Sequence, residues 1–242
     1  MAVRSIAGRT SMRSAAAADP AALKRLGEYA LRYVKPGHTV GLGTGRAAAA
    51  FIRALIDSGI PVRGVPTSRH SERIAREGGI EVVGLEDAGR IDVTIDGADE
   101  VDPRLNLIKG RGGALVREKI VAAASRREII LVGFEKLVRR LGEHSILPVE
   151  VVPFAAPFCL RMMRRMGLKP ALRRGQDGAQ TVSDNGNLIV DCRIDPTLNA
   201  RRVNCELLAT PGVVDHGLFL GIAHTVLVAQ PDGTIKTLTR PR

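Results

Sequence analysis

Residues 38–59 read HTVGLGTGRAAAAFIRALIDSG. A short apolar run ends in the glycine-rich GTG, and Phe51, Ile52, Leu55 and Ile56 then recur at helical spacing. Strand, glycine loop and helix in that order form the front half of a β-α-β unit. The flanking sequence repeats the alternation. PAALKRLGEYALRYV (20–34) has the helical stripe Leu23, Leu26, Ala30 and Val34. VRGVPTS (62–68) reads as a strand, SERIAREGG (71–79) as a short helix stopped by glycine, and IEVVGL (80–85) and RIDVTID (90–96) as strands. GGALVREKIVAAA (112–124) is a helix and REIILVG (127–133) a strand. This pattern predicts an α/β fold, a Rossmann-like, mostly parallel sheet covered on both faces.

After residue 146 the pattern changes. LPVEVVPFA (147–155) is read as strand and APFCLRMMRRMG (156–167) as helix, with Phe158, Met162, Met163 and Met166 as its core stripe. Strands AQTVSD (179–184) and LIVDCRI (188–194) flank the turn DNGN. NARRVNCELLATPG (199–212) is a helix with Val203, Leu207 and Leu208 on one side, and VVDHGLFLG (213–221) a strand. The order β-α-β-β-α-β is a split βαβ, ferredoxin-like, α+β unit. HTVLVAQPDGTIKTL (224–238) reads as a hairpin returning to the first domain. The expected division is a disordered tail over 1–20, an α/β catalytic domain over 21–146 plus 222–242, and an inserted α+β domain over 147–221. A cleft between the two domains is the expected binding site.

Apolar residues make up 45% of the 242-residue chain, enough for a sizeable core, while aromatics are 3% and Trp is absent. Stacking on bases or on a flat cofactor is therefore poorly supplied. Net charge is +11, carried by scattered arginines without a long basic block. That balance suits an anionic ligand and supports no specific nucleic-acid partner. Cys159, Cys192 and Cys205 form no CxxC pair and suggest no disulfide framework or zinc site. A reducing compartment follows, taken as the cytoplasm, with Cys159 and Cys205 expected in the core. No two histidines have metal-ligand spacing, and no apolar run is long enough to span a membrane. Residues 1–20 hold three arginines and no acid before Asp19, consistent with a tail or a presequence.

GLGTGR stands between strand and helix, where backbone amides can hold an anion. It departs from GxGxxG, with Ala48 where a third glycine would stand, and no P-loop lysine follows. A simple phosphate loop and a purely structural turn both remain open. Thr67, Ser68, Arg69 and Ser71 in PTSRHS offer a second polar strand-end turn. The chemistry concentrates in DGADEVDPRLNLIKGRGGALVREKI (96–120). Asp96 ends an apolar strand, Gly97 turns the chain and Asp99 follows. Such carboxylates could bind a metal, orient sugar hydroxyls or simply cap a turn. Lys109 beside GRGG amides can stabilise an oxyanion. Glu118, one turn into the helix, is either a surface residue or a buried general base. Together these groups fit proton abstraction beside a carbonyl, with a remote phosphate gripped for binding energy.

VGLGTGRAAAAFI, PTSRHS, DGADEVD, IKGRGGALVREKI, LPVEVVPFA, SDNGNLIVD and PGVVDHGLF resemble ribose-5-phosphate isomerase of the A type, over about residues 22–240. The resemblance implies a sugar-phosphate ligand and reversible aldose–ketose isomerisation of D-ribose 5-phosphate to D-ribulose 5-phosphate through an enediolate. It places the chain in the non-oxidative pentose phosphate pathway of carbohydrate metabolism. It implies no cofactor and no metal, and a homodimer or homotetramer. It puts the catalytic base on Glu118, the substrate-contacting aspartates on Asp96 and Asp99, and the catalytic lysine on Lys109. Substrate binding falls on Gly43, Thr44, Gly45, Arg46, Ser68, Gly97, Ala98, the loop Gly110, Arg111, Gly112 and Gly113, and the phosphate-side Lys136.

Two departures stand out. The family's GTGST is GTGRA here, so Arg46 either grips phosphate or points to solvent. The family's Asp-x-Ser-Lys is GFEK, which sets Glu135 beside a phosphate site unless it points away. The alternatives are an isomerase of another phosphorylated pentose and a non-catalytic sugar-phosphate sensor. A sensor has no need of a carbon base, so Glu118 and Lys109 favour the enzyme.

Overall fold

The computed structural model describes residues 19–240, so nearly all of the tail expected over 1–20 lies outside the described residues. Helix α1 (Pro20–Ala30) is capped by Asp19, whose carboxylate accepts the Ala21 amide, with Pro20 in the first turn. Its buried face is Leu23, Leu26, Gly27 and Ala30. A side chain on Gly27 would collide with the backbone of Ala50, so glycine here lets α1 lie directly against α2 (Arg46–Ser58). Strands β1 (Thr39–Leu42), β2 (Arg63–Pro66) and β3 (Glu81–Val82), with α3 (Arg69–Glu77) between the last two, run one way across the sheet. The chain then crosses to β4 (Val93–Gly97) on the other side of β1. The short β5 (Glu100–Val101) and β6 (Leu107–Ile108), helix α4 (Leu115–Ala124) and strand β7 (Glu128–Gly133) follow.

The next stretch builds a separate antiparallel sheet. It contains β8 (Leu147–Val151), α5 (Ala156–Arg165), β9 (Lys169–Leu172), β10 (Leu188–Arg193), α6 (Ala200–Leu208) and β11 (Val213–His216). Its order, β11-β8-β10-β9, is that of a split βαβ unit. Strand β12 (Leu218–Phe219) pairs with β6, which pairs with β5, in a small third sheet. Strands β13 (Thr225–Ala229) and β14 (Ile235–Thr239) form the returning hairpin. The large sheet is ordered β14-β13-β7-β4-β1-β2-β3, all parallel except β14. The order reverses between β1 and β4, so the crevice of this α/β sheet belongs at their carboxyl ends.

Several expectations need correction. AQTVSD is not a strand of the sheet. It contributes only single bridges, Arg174 to Gln180 and Val182 to Leu188, and the edge position beside β10 belongs to KPAL, residues 169–172. Pro170 hid that strand, and it is tolerated because an edge strand leaves one side unpaired. VVDHGLFLG is two strands in two sheets, broken at Gly217. On α5 the buried stripe is Ala156, Cys159 and Met163; Phe158 is exposed and Met162 and Met166 are half-buried. Cys205 is exposed, because the buried face of α6 runs through Val203 and Leu207 and turns Cys205 outward; Leu208 is exposed for the same reason. Among the described residues no helix is long and apolar enough to cross a membrane.

Candidate active site

At the carboxyl ends of β1 and β4 the two strands nearly touch. A side chain on Gly43 would run into the carboxylate of Asp96, so glycine is required for the approach. Asp96 is fully buried. Oδ1 accepts the amides of Thr44 at 3.0 Å and Gly97 at 2.7 Å, and Oδ2 lies 2.9 Å from Lys109 Nζ. Asp96 thus ties the GTG loop to the lysine from behind. Ser68 is likewise buried: it caps α3 in a reciprocal pair with Ser71, and its hydroxyl oxygen accepts from Thr44 Oγ1 at 2.8 Å. It braces Thr44 and does not line the cleft.

The cleft itself has a volume of about 540 Å³. Of the expected residues, Thr44, Gly45, Arg46, Gly97, Ala98, Asp99, Lys109, Gly110, Arg111, Gly112, Glu118 and Lys136 face it, while Gly43, Ser68, Asp96 and Gly113 do not. Helix α2 begins at one wall, behind Gly45 at φ +102°, and α4 contributes Glu118. The free first-turn amides and the dipole of α2 favour an anion there. Leu23 of α1 also lines the cleft, a contribution the sequence reading missed. A depression of about 600 Å³ near Gly59–Val62 and Gly78–Glu81 holds no comparable convergence of polar groups.

Lys109 is 2% exposed; its ammonium donates to Gly97 O at 2.5 Å and Glu118 Oε1 at 3.1 Å and forms an ion pair with Asp96 Oδ2 at 2.9 Å. Burial alone would lower its pKa, but the carboxylates of Asp96, Glu118 and Glu128 outweigh it and hold the amine charged. Glu118 is 4% exposed, and burial pushes its pKa up to about 8 against the opposing pull of Lys109, with Asp96 and Asp99 adding to the rise. Its Oε2 is buried with no hydrogen-bond partner among the described residues, on a residue that lines the cleft. Asp99 accepts the Arg111 amide at 3.1 Å and so supports the glycine loop.

Lys119 is not a surface partner for its helix neighbours. Its ammonium pairs with Asp215 Oδ1 at 2.5 Å and donates to His216 O at 2.6 Å, fixing α4 against β11. The backbone of Lys109 is fixed in the same way. Its amide donates to Gly217 O at 2.9 Å, and a side chain on Gly217 would strike Lys109 O.

Two acidic residues, Glu100 and Glu128, escaped the sequence reading. Glu100 is buried and accepts the amides of Gly142, His144 and Ser145 at 2.5–2.6 Å, which anchors the link between the two larger sheets. Glu128 is buried with neither oxygen hydrogen-bonded among the described residues. Burial, then the nearby Asp96, drives its pKa well up. Glu135 does not point away: it lines the cleft beside Lys136, its carboxylate folded back into the space a side chain on Gly133 would fill. Arg46 is exposed at the rim of the same cleft. Among the described residues no group of His, Cys, Asp or Glu is arranged to hold a metal ion.

The sequence pattern described as ribose 5-phosphate isomerase A (phosphoriboisomerase A) matches residues 63–233. A protein named ribose-5-phosphate isomerase A from Roseiflexus sp. (strain RS-1) is 46% identical over 218 residues, covering 88% of this chain and 94% of that one. The solved ribose 5-phosphate isomerase from Plasmodium falciparum superposes with a TM-score of 0.88 at 35% identity, over 93% of this chain and 100% of the other. A D-ribose-5-phosphate isomerase solved in complex with phospho-erythronic acid gives a TM-score of 0.87 at 37% identity, over 91% and 98%.

Proposed function

The chain belongs to the ribose 5-phosphate isomerase A family, and from that premise we propose that it interconverts D-ribose 5-phosphate and D-ribulose 5-phosphate through an enediolate, with Glu118 as the base. The observation that carries the reading is the buried Glu118 carboxyl on the cleft lining, with one oxygen on Lys109 and the other without a partner among the described residues. In the open-chain aldose, that free oxygen takes the proton from C2. Charge moves onto the C1 oxygen, where the Lys109 ammonium and the loop amides stabilise it. The proton returns to C1 and the ketose results. Asp99 is suited to moving the hydroxyl proton between the two oxygens. The phosphate would lie toward the start of α2, with Arg46 and Lys136 supplying charge. A relative solved with phospho-erythronic acid supports a phosphorylated ligand whose other end gathers negative charge in the reaction.

Glu118→Gln removes the base and keeps the shape. Its kcat should fall by about 10²–10⁴-fold, the range for loss of a positioned proton acceptor, with KM little changed. Solvent deuterium should also stop entering product at C1. Near-normal turnover of ribose 5-phosphate by this variant would remove Glu118 from the role.

A further inference from the structure

The glycine loop beside Lys109 is gripped from the other sheet. Arg173 follows β9. Its Nε and Nη2 donate to Asp191 of β10, at 2.9 Å to Oδ2 and 2.6 Å to Oδ1. That bidentate pair fixes the plane of the guanidinium. The remaining nitrogen, Nη1, reaches across to the loop and donates to Arg111 O at 2.9 Å and, more weakly, to Gly110 O at 3.4 Å. These two carbonyls belong to consecutive peptide units, 110–111 and 111–112. All peptides of the described chain are trans, so the N–H of each unit points opposite to its C=O. Pinning both carbonyls toward the sheet of β9 and β10 therefore turns the amides of Arg111 and Gly112 toward the large sheet. The Arg111 amide donates there to Asp99 Oδ2 at 3.1 Å. The Gly112 amide has no partner among the described residues, and Gly112 lines the cleft. The turn is closed by Gly113 N on Gly110 O at 2.9 Å, with φ of +99° at Gly110 and +81° at Gly113.

We propose that Arg173, held by Asp191, is a positioning residue that aims the Gly112 amide at the oxygen on which charge develops. The inference rests on the isomerase reading above. It assigns the smaller sheet a part in the reaction without placing any of its side chains on the substrate. Lysine cannot replace arginine here, because one ammonium cannot hold Asp191 in two bonds and still reach both carbonyls.

The test uses Arg173→Ala, Arg173→Lys and Asp191→Asn, with Arg174→Ala as control, since among the described residues the Arg174 side chain bonds only within its own turn, to Gly178 O at 2.7 Å. In Arg173→Ala kcat should fall by about tenfold to a hundredfold, as for small misplacements of a catalytic group, with KM for ribose 5-phosphate within about threefold. Arg173→Lys should not recover it, Asp191→Asn should lose a smaller part, and added guanidinium ion should restore part of the kcat of Arg173→Ala. Deuterium exchange of peptides spanning 108–114 is the second readout, and the Arg111 amide should exchange faster in Arg173→Ala. Unchanged kcat in a folded variant overturns the proposal. So does a loss of kcat that lysine repairs, or a fall in melting temperature with no change in exchange at Arg111. Should Arg173→Ala not fold, Asp191→Asn decides by the same criteria. If the wild-type chain does not isomerise ribose 5-phosphate, the isomerase reading falls, and exchange alone decides whether Arg173 holds the loop.

Discussion

At the scale of single residues, the site is a problem of charge. Asp96, Glu118 and Glu128 are buried around one ammonium, that of Lys109. Three carboxylates cannot all be ionised there, and burial resolves the conflict by raising Glu118 and Glu128. The consequence for activity has a definite sign. A base must be deprotonated, and Glu118 titrates at about 8, so kcat/KM should climb about tenfold per pH unit below that value and level off above it. Lys109 is held charged over the same window and adds no falling limb. For stability the direction reverses. The folded chain holds the Glu118 proton more tightly than the unfolded chain, so this group's contribution weakens as pH rises from the ordinary carboxylate range to about 8. A pH series of kcat/KM, read beside melting temperatures, checks both. An activity limb near pH 4 would mean that Glu118 is not desolvated as described. Residue identities here were legible in DGADE and KGRGG, but burial was not. Asp96 and Asp99 look alike in sequence, yet one is enclosed behind Lys109 and the other faces the cleft.

At the scale of elements, glycines set how closely strands and loops approach. Gly43 lets the end of β1 close on Asp96 at the end of β4. Gly43→Ala should cost about 1–3 kcal/mol, the usual penalty of overpacking, and should lower kcat as well, because the Asp96 carboxylate that orients Lys109 must move. Urea unfolding and steady-state kinetics on the same preparation test this, and wild-type stability would show that the strands can part cheaply. Most elements of the large sheet were legible, because each repeats an apolar strand, a polar turn and an amphipathic helix. KPAL was not, since four residues with a proline carry no strand signal and an edge position supplies only one set of ladder bonds. The break at Gly217 was not legible either. It arises because the chain there changes sheets against the backbone of Lys109, a neighbour 108 positions earlier in sequence.

At the scale of the whole molecule, the two larger sheets are joined by polar contacts that converge around the site. The DNGN turn reads in sequence as a local hairpin signal. In the fold it reaches the large domain: Asp184 Oδ2 accepts the amide of Arg69 at the start of α3, and Asn185 Oδ1 accepts from Arg117 Nε, each at 2.8 Å. Arg117 precedes the base, so the turn helps to hold α4. Asp184→Ala should behave as a lost helix cap, costing about 1 kcal/mol and lowering the melting temperature by about 2–4 °C, with a modest fall in kcat/KM. Calorimetry on the variant checks it, and an unchanged melting temperature would make this contact incidental.

By itself the sequence determined the α/β class, the order of the two architectures, the family and the residue types of the cleft. Periodicity and short motifs are local, and local signals survive in one dimension. Tertiary structure alone decided which acids are enclosed, that Lys109 is shared between Asp96 and Glu118, and that Arg173 of one sheet holds the amide loop of the other. Desolvation and hydrogen-bond geometry depend on neighbours brought together by folding, and no spacing along the chain records them.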